Sequence, residues 1–127
     1  MRVGIPTEVH PGERRVAGTP DTVAKLIKKG FEVSVQAGAG QGAHLEDSAF
    51  AEAGATIVDS ADALWAESDL VIKIRAPETC PDTGVVETDR LREGGWLICL
   101  LQPATNGPLV ERLSARKSTV VALDQVP

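Results

Sequence analysis

The chain has 127 residues, 43% apolar and 24% charged, with a formal net charge of −5. That is the size and balance of one ordinary soluble domain, able to bury a core without staples. An acidic chain with no Tyr, two Phe and two Trp offers neither a basic nucleic-acid footprint nor a stacking platform, and two cysteines make no disulfide framework.

In chain order, "RVGIP" reads as a strand. "TPDTVAKLIKKG" follows as a helix, with Thr19 able to cap its first amides and Pro20 suited to the first helical position. Val23, Leu26 and Ile27 share one face, and Gly30 is a stop. "FEVSVQA" is the next strand. "DSAFAEAGA" is a short helix capped by Asp47 and ended by Gly54, and "TIV" a brief strand. "SADALWAES" is a helix capped by Ser60, and "DLVIKI" a near-continuous apolar strand of the kind covered on both faces. Glu78 to Val86 reads as a mobile loop, broken by proline, and "TDRLREGG" as a helical turn or two. "WLICLL" is a second apolar strand, with Cys99 in its core-facing run. "NGPLVERLSARK" is a helix and "TVVAL" the last strand.

Strand and helix alternate throughout, which argues for one α/β domain spanning residues 1–127. Its fold class is an open parallel sheet with helices on both faces, Rossmann-like or flavodoxin-like. No window approaches the ~20 apolar residues a bilayer span needs. "MRVGIPTE" has no apolar signal core, so a cytoplasmic location is expected. His10, His44, Cys80 and Cys99 show no metal-ligand spacing.

"SVQAGAGQGAH" places Gly38, Gly40 and Ala43 in the spacing G-x-G-x-x-A, with Asp59 where a ribose-binding acid would fall. A working fingerprint needs its helix to begin inside the glycines, with the amino end facing a pyrophosphate. Here His44, Leu45, Glu46 and Asp47 intervene, and two carboxylates lie where phosphate must bind. The block therefore reads as a glycine turn without a complete dinucleotide fingerprint, and no cofactor-binding residue is assigned. Asp59 then flanks a helix.

Ligands of open parallel sheets bind beyond the carboxyl ends of the strands. Three stretches lie there. "TEVHPGERRVAGTP" carries Glu8, His10, Glu13, Arg14 and Arg15. Its arginines suit a carboxylate or phosphate, or else Arg15 pins the loop to an internal carboxylate. Lys73, in "DLVIKI", either presents its ammonium to a ligand or snorkels to solvent. Gln102, in "LLQPATN", has the position of a catalytic residue, but an amide is no general acid or base near neutral pH. No nucleophile–base pair is visible, so no catalytic residue is assigned; Arg15, Lys73 and Gln102 are the candidate cleft-lining residues.

"MRVGIPTE…GERRVAGTP", "GFEVSVQAGAG", "DLVIKIRAP" and "LLQPATNGPLVERLSARKSTVVALDQVP" together resemble the amino-terminal domain shared by alanine dehydrogenases and the α subunit of proton-translocating NAD(P) transhydrogenase. The resemblance covers essentially the whole chain. It implies that the glycine block is not the family's cofactor fingerprint, which a separate domain carries. The family's substrate-binding arginine and lysine fall on Arg15 and Lys73, and the alanine dehydrogenases' catalytic histidine falls on Gln102. Losing that histidine removes the proton-transfer group an amino-acid oxidation needs, whereas hydride transfer between nicotinamides needs no protein acid or base.

The transhydrogenase branch is therefore implied: hydride passes from NADH to NADP⁺, coupled to proton translocation. NAD(H) and NADP(H) would serve the complete enzyme, with none bound to this chain, which would be inactive alone. The implied partners are an NAD-binding domain absent from this chain and membrane-embedded and NADP-binding segments. A homodimer is implied, held peripheral to the inner membrane by partner subunits, with no nucleic acid. An alanine dehydrogenase-like domain is one alternative. A non-catalytic α/β scaffold is another, favoured if no dinucleotide-binding gene adjoins.

Overall fold

In a computed structural model, residues 1–81, 83–100 and 107–123 are described. The strands are β1 (Arg2–Ile5), β2 (Glu32–Gln36), β3 (Thr56–Val58), β4 (Leu70–Arg75), β5 (Trp96–Leu100) and β6 (Thr119–Ala122). The helices are α1 (Pro20–Lys28), α2 (Asp47–Glu52), α3 (Ala61–Glu67) and α4 (Gly107–Ala115). All the strands pair parallel in one sheet ordered β3-β2-β1-β4-β5-β6.

The sheet is sandwiched because each face carries its own apolar set. Val3 and Ile5 of β1 and Val33 and Val35 of β2 pack under α1 and α2 with Val23 and Phe50. Val71 of β4 and Leu97 and Cys99 of β5 pack with Leu64 and Trp65 of α3 and Leu113 of α4 on the other face. Each large buried side chain contributes about 1.5–3 kcal/mol relative to exposure. Between the two sets, Gly4 lets α3 approach β1, since a Cβ on it would collide with the buried Ser68 hydroxyl.

Local signals set the ends. Thr19 Oγ1 accepts from the Thr22 amide and Pro20 opens α1. Ser60 Oγ accepts from the Ala63 amide at 3.3 Å. Gly30 and Gly54 close α1 and α2 at φ 99° and 109°, beyond the ordinary range of a side-chain-bearing residue. Asp47 is not the cap of α2. It is the first helical residue, and Glu46 occupies the cap position without a side-chain bond. The stretch from Glu78 to Val86 has no strand or helix among its described residues, as a loop reading expects, but it is tied across its ends. Thr79 and Val86 form an antiparallel bridge, Cys80 N–H donates to the Val85 carbonyl at 2.7 Å, and Glu87 N–H donates to that of Glu78 at 2.9 Å. A turn through Gly84 at φ 72° closes this small hairpin.

The chain leaves β1 toward β2 and β3, then returns on the other side of β1 to β4. The order of strands thus reverses between β1 and β4, where open α/β sheets have their crevice. The loop after β1 and the hairpin after β4 form its walls.

Candidate functional site

Two constellations occupy this crevice, one enclosed and one open. The enclosed one is built on Lys73. Its side chain is 0% exposed, and Nζ lies 3.1 Å from Glu8 Oε1 and 3.4 Å from Glu87 Oε1. It also donates to the Arg75 carbonyl at 2.7 Å. Glu8 Oε2 accepts from the Ile74 amide and Oε1 from the Arg75 amide, both at 3.0 Å. Glu87 Oε1 accepts from the Glu78 amide at 3.0 Å. One carboxylate thus fastens the loop after β1 to the end of β4, and the other fastens the base of the hairpin. Burial pushes the Glu87 carboxyl above its ordinary range, against the pull of Lys73.

Neither sequence reading of Lys73 therefore describes its place: it neither presents an ammonium to a cleft nor reaches solvent. A buried cation needs a partner, and here two carboxylates supply it. The residue that faces the open cleft from this strand is Arg75. Pairing between β4 and β5 shifts register between Ile72 and Arg75. Such an irregularity breaks strict alternation and re-aims side chains. Lys73 turns inward, while Arg75 lines the cleft and is 43% exposed.

The open constellation lies in a cleft of about 530 Å³ lined by His10, Arg15, Arg75, Ala76, Pro77, Glu78 and Leu100. Behind the arginines lies Glu13. Its Oε1 accepts from Arg15 Nη2 at 2.6 Å and from Arg75 Nε at 2.9 Å. Its Oε2 accepts from both the amide and Nε of Arg15 at 3.0 Å. The bonds from Arg15 hold its carboxyl well below the usual carboxylate range. Also lining the cleft, His10 Nδ1 lies 2.8 Å from Glu78 Oε2, joining the loop after β1 to the hairpin.

Arg15 thus has both features weighed from sequence, an internal carboxylate partner and an accessible guanidinium. Arg14 does not line the cleft; its backbone packs against Gly42, where a Cβ would come within 2.9 Å. Gln102 and Pro103 lie outside the described residues. Sequence reasoning did not single out Arg75, Glu78 or Glu87. A basic residue at the carboxyl end of a strand was a signal for Arg75. Glu87 had none, because its loop has ordinary polar composition.

The glycine block has another use of its donors. Gly38, at φ 81°, gives its amide to Asp47 Oδ1 at 2.9 Å. A carboxylate on the first glycine amide, ahead of a helix of six residues, does not fit a dinucleotide pyrophosphate. Gly40 is needed for packing, since a Cβ would come within 2.7 Å of the Leu45 carbonyl and 2.8 Å of the Phe50 ring. Asp59 is exposed beside the cap of α3.

Among the described residues, no group of three or more His, Cys, Asp or Glu side chains is arranged to hold a metal, and no helix is long and apolar enough to cross a membrane.

Comparison with known proteins matches residues 4–127 to the family described as alanine dehydrogenase/PNT, N-terminal domain. The chain is 43% identical over 127 residues to an NAD(P) transhydrogenase subunit alpha chain of Rhodospirillum rubrum, covering all of this chain and 33% of that one. It is 41% identical over 126 residues to alanine dehydrogenase of Mycolicibacterium smegmatis, covering 99% of this chain and 32% of that one. The structure of transhydrogenase from Sinorhizobium meliloti superposes with a TM-score of 0.89 at 31% identity, over 100% of this chain and 36% of that one. The chain thus spans about a third of the length of these two curated relatives.

Proposed function

Since the chain belongs to the family of alanine dehydrogenase/PNT N-terminal domains, we propose that it is the N-terminal domain of an NAD(P) transhydrogenase α subunit. It forms one wall of the catalytic cleft. In the complete enzyme, hydride passes from NADH to NADP⁺, coupled to proton translocation through membrane-embedded partners. A dinucleotide domain supplies the cofactor site, because the glycine block here is closed by Asp47. The domain is held beside the membrane by those partners, and two copies pair in the assembly.

The observation that carries this reading over the dehydrogenase one is Gln102. An amide two residues past Leu100 in the sequence takes no proton from an amino acid, and a hydride exchange between nicotinamides asks for none. Identity does not separate the branches, at 43% against 41%.

One observation favours the second reading, an amino-acid dehydrogenase. Arg15 and Arg75 stand open to the cleft above a buried counterion, an arrangement suited to a small carboxylate. In either reading, the arginine pair is the anion-holding wall of the cleft.

The test joins the chain to its dinucleotide domain, adds the NADP-binding partner segment, and assays two reactions, reduction of an NADP⁺ analogue by NADH and oxidation of L-alanine by NAD⁺. Nicotinamide exchange without alanine oxidation is the expected result. Efficient alanine oxidation would overturn the transhydrogenase assignment.

A further inference from the structure

The glycine block meets the wall of the cleft from behind. Gly42 is not in the left-handed region, so its conformation is open to any residue. What it needs is closeness. A Cβ there would come within 2.9 Å of both the Cα and the carbonyl oxygen of Arg14, and within 3.2 Å of its Cβ. Arg14 stands between Glu13 and Arg15, so the contact falls at the centre of the segment that gives the cleft its guanidinium and the carboxylate behind it.

We propose that Gly42 is a positioning residue for this cleft: by carrying no side chain it lets the glycine turn seat the backbone of Arg14, and that seat sets where Glu13 and Arg15 stand against Arg75. The block thereby has a role that needs no nucleotide. Its bearing on hydride transfer rests on the reading above that this cleft is a wall of the catalytic site.

The turn is the firmer of the two partners. A single 3₁₀ turn spans Gln41–Ala43. The Ala43 and Leu45 amides both donate to the Gly40 carbonyl, at 3.0 and 2.9 Å, and the His44 amide donates to that of Gln41 at 3.1 Å. Asp47 holds the Gly38 amide, and Gly40 lies against the buried Phe50 ring. The loop is tied on its other side, through Glu8 to the Ile74 and Arg75 amides and through Glu13 to Arg75. Near Arg14 its own backbone has one turn bond among the described residues, from the Glu13 amide to the His10 carbonyl at 3.0 Å. A side chain added at residue 42 therefore displaces the loop rather than the turn. Ordinary contact begins near 3.4 Å, so the displacement is about 0.5 Å. The bonds from Arg15 and Arg75 to Glu13 cannot all keep their lengths through it.

A positioning role must be separated from a loss of stability. Gly30→Ala is the control. Gly30, at φ 99° with nothing within 4 Å of a Cβ, loses stability through backbone strain alone, at the opposite end of β2 from the glycine block. Two readouts report the cleft: the NMR shifts of the Arg15 and Arg75 Nε–Hε groups, which both donate to Glu13, and the titration of the Glu13 carboxyl carbon. The charged groups facing that carboxylate are Arg15 from its own loop and Arg75 from β4, while His10 and Glu78, which also line the cleft, pair with each other.

The experiment compares these variants in the 127-residue chain. In Gly42→Ala both Nε–Hε signals are expected to move, and the Glu13 carboxyl to titrate closer to the ordinary glutamate range than in the unmodified chain. In Gly30→Ala neither readout changes, although the chain is less stable. Arg14→Ala keeps the three atoms that meet residue 42 and should leave the Arg75 signal in place. Should Gly42→Ala fold poorly, Arg14→Gly stands in for it. It strips the Cβ from the seated residue and loosens its backbone, and the Arg75 signal should move or broaden. An unmoved Arg75 signal in the variant used, or an equal change in Gly30→Ala, overturns the proposal. In the complete enzyme, Gly42→Ala is expected to slow nicotinamide exchange about tenfold, since a 1 Å misplacement can cost about 100-fold. Moved arginine signals with an unchanged exchange rate would leave the seat in place and overturn the reading of the cleft as a catalytic wall.

Discussion

Lys73 and Glu8 meet inside the protein, Nζ to Oε1 at 3.1 Å, with side chains 0% and 1% exposed. The pair spans the point where the order of strands reverses, so it fastens the two walls of the crevice to each other. Its Coulomb energy alone does not measure its importance, because burying both charges costs desolvation. Removing one partner is a different matter. In Lys73→Met, Glu8 keeps the Ile74 and Arg75 amides, but both it and Glu87 lose their cation. A loss of about 3–5 kcal/mol is expected, read as a lower urea midpoint with an unchanged slope. Adding Glu87→Gln should restore some of that stability, by removing one of the stranded carboxylates.

Two carboxyls give opposite pH dependences. Burial raises the Glu87 carboxyl, so the folded state holds that proton more tightly than the unfolded chain does. Its contribution is fully present below the ordinary glutamate value and is lost as pH rises through the raised one. The arginines lower the Glu13 carboxyl, Arg15 most of all. Its contribution is present above the ordinary value and is lost as pH falls below it toward the lowered one. Melting temperatures measured from pH 3 to 8 should therefore fall less steeply on the alkaline side in Glu87→Gln. In Glu13→Gln they should fall less steeply on the acid side. Parallel profiles for all the proteins would contradict both assignments.

The elements were legible because their signals are local. Apolar runs mark β4 and β5, Thr19 and Ser60 cap the helices they precede, and Gly30 and Gly54 close theirs. The crevice was legible at the level of loops, since alternating strands and helices pointed to the loops after β1 and β4, whose side chains line it. Which side chain faces it was not. Regular alternation gives Lys73 and Arg75 the same face, and only the register shift against β5 sends one inward and the other into the cleft. Asp47 misled as a cap because its carboxylate serves an amide nine positions back, a contact that no helix-start pattern encodes.

The last prediction concerns the glycine block, where sequence spacing and structure diverge. Gly38, Gly40 and Ala43 satisfy the spacing of a nucleotide loop, yet each glycine has another use. The Gly38 amide is taken by Asp47, and Gly40 makes room for Leu45 and Phe50. A dinucleotide would have to displace a carboxylate and place its pyrophosphate beside Glu46 and Asp47. Titrating the chain with NADH and following its fluorescence should therefore show no saturable binding up to millimolar concentration. Asp47→Ala should lower stability by about 1–3 kcal/mol, through a stranded amide, without creating NADH binding. Gly40→Ala should lower it by about 1–3 kcal/mol through overpacking against Phe50. Stoichiometric micromolar binding by the unmodified chain, lost in Gly40→Ala while the fold is kept, would make the block a cofactor site. It would also take the cofactor out of the neighbouring domain, where the transhydrogenase reading puts it.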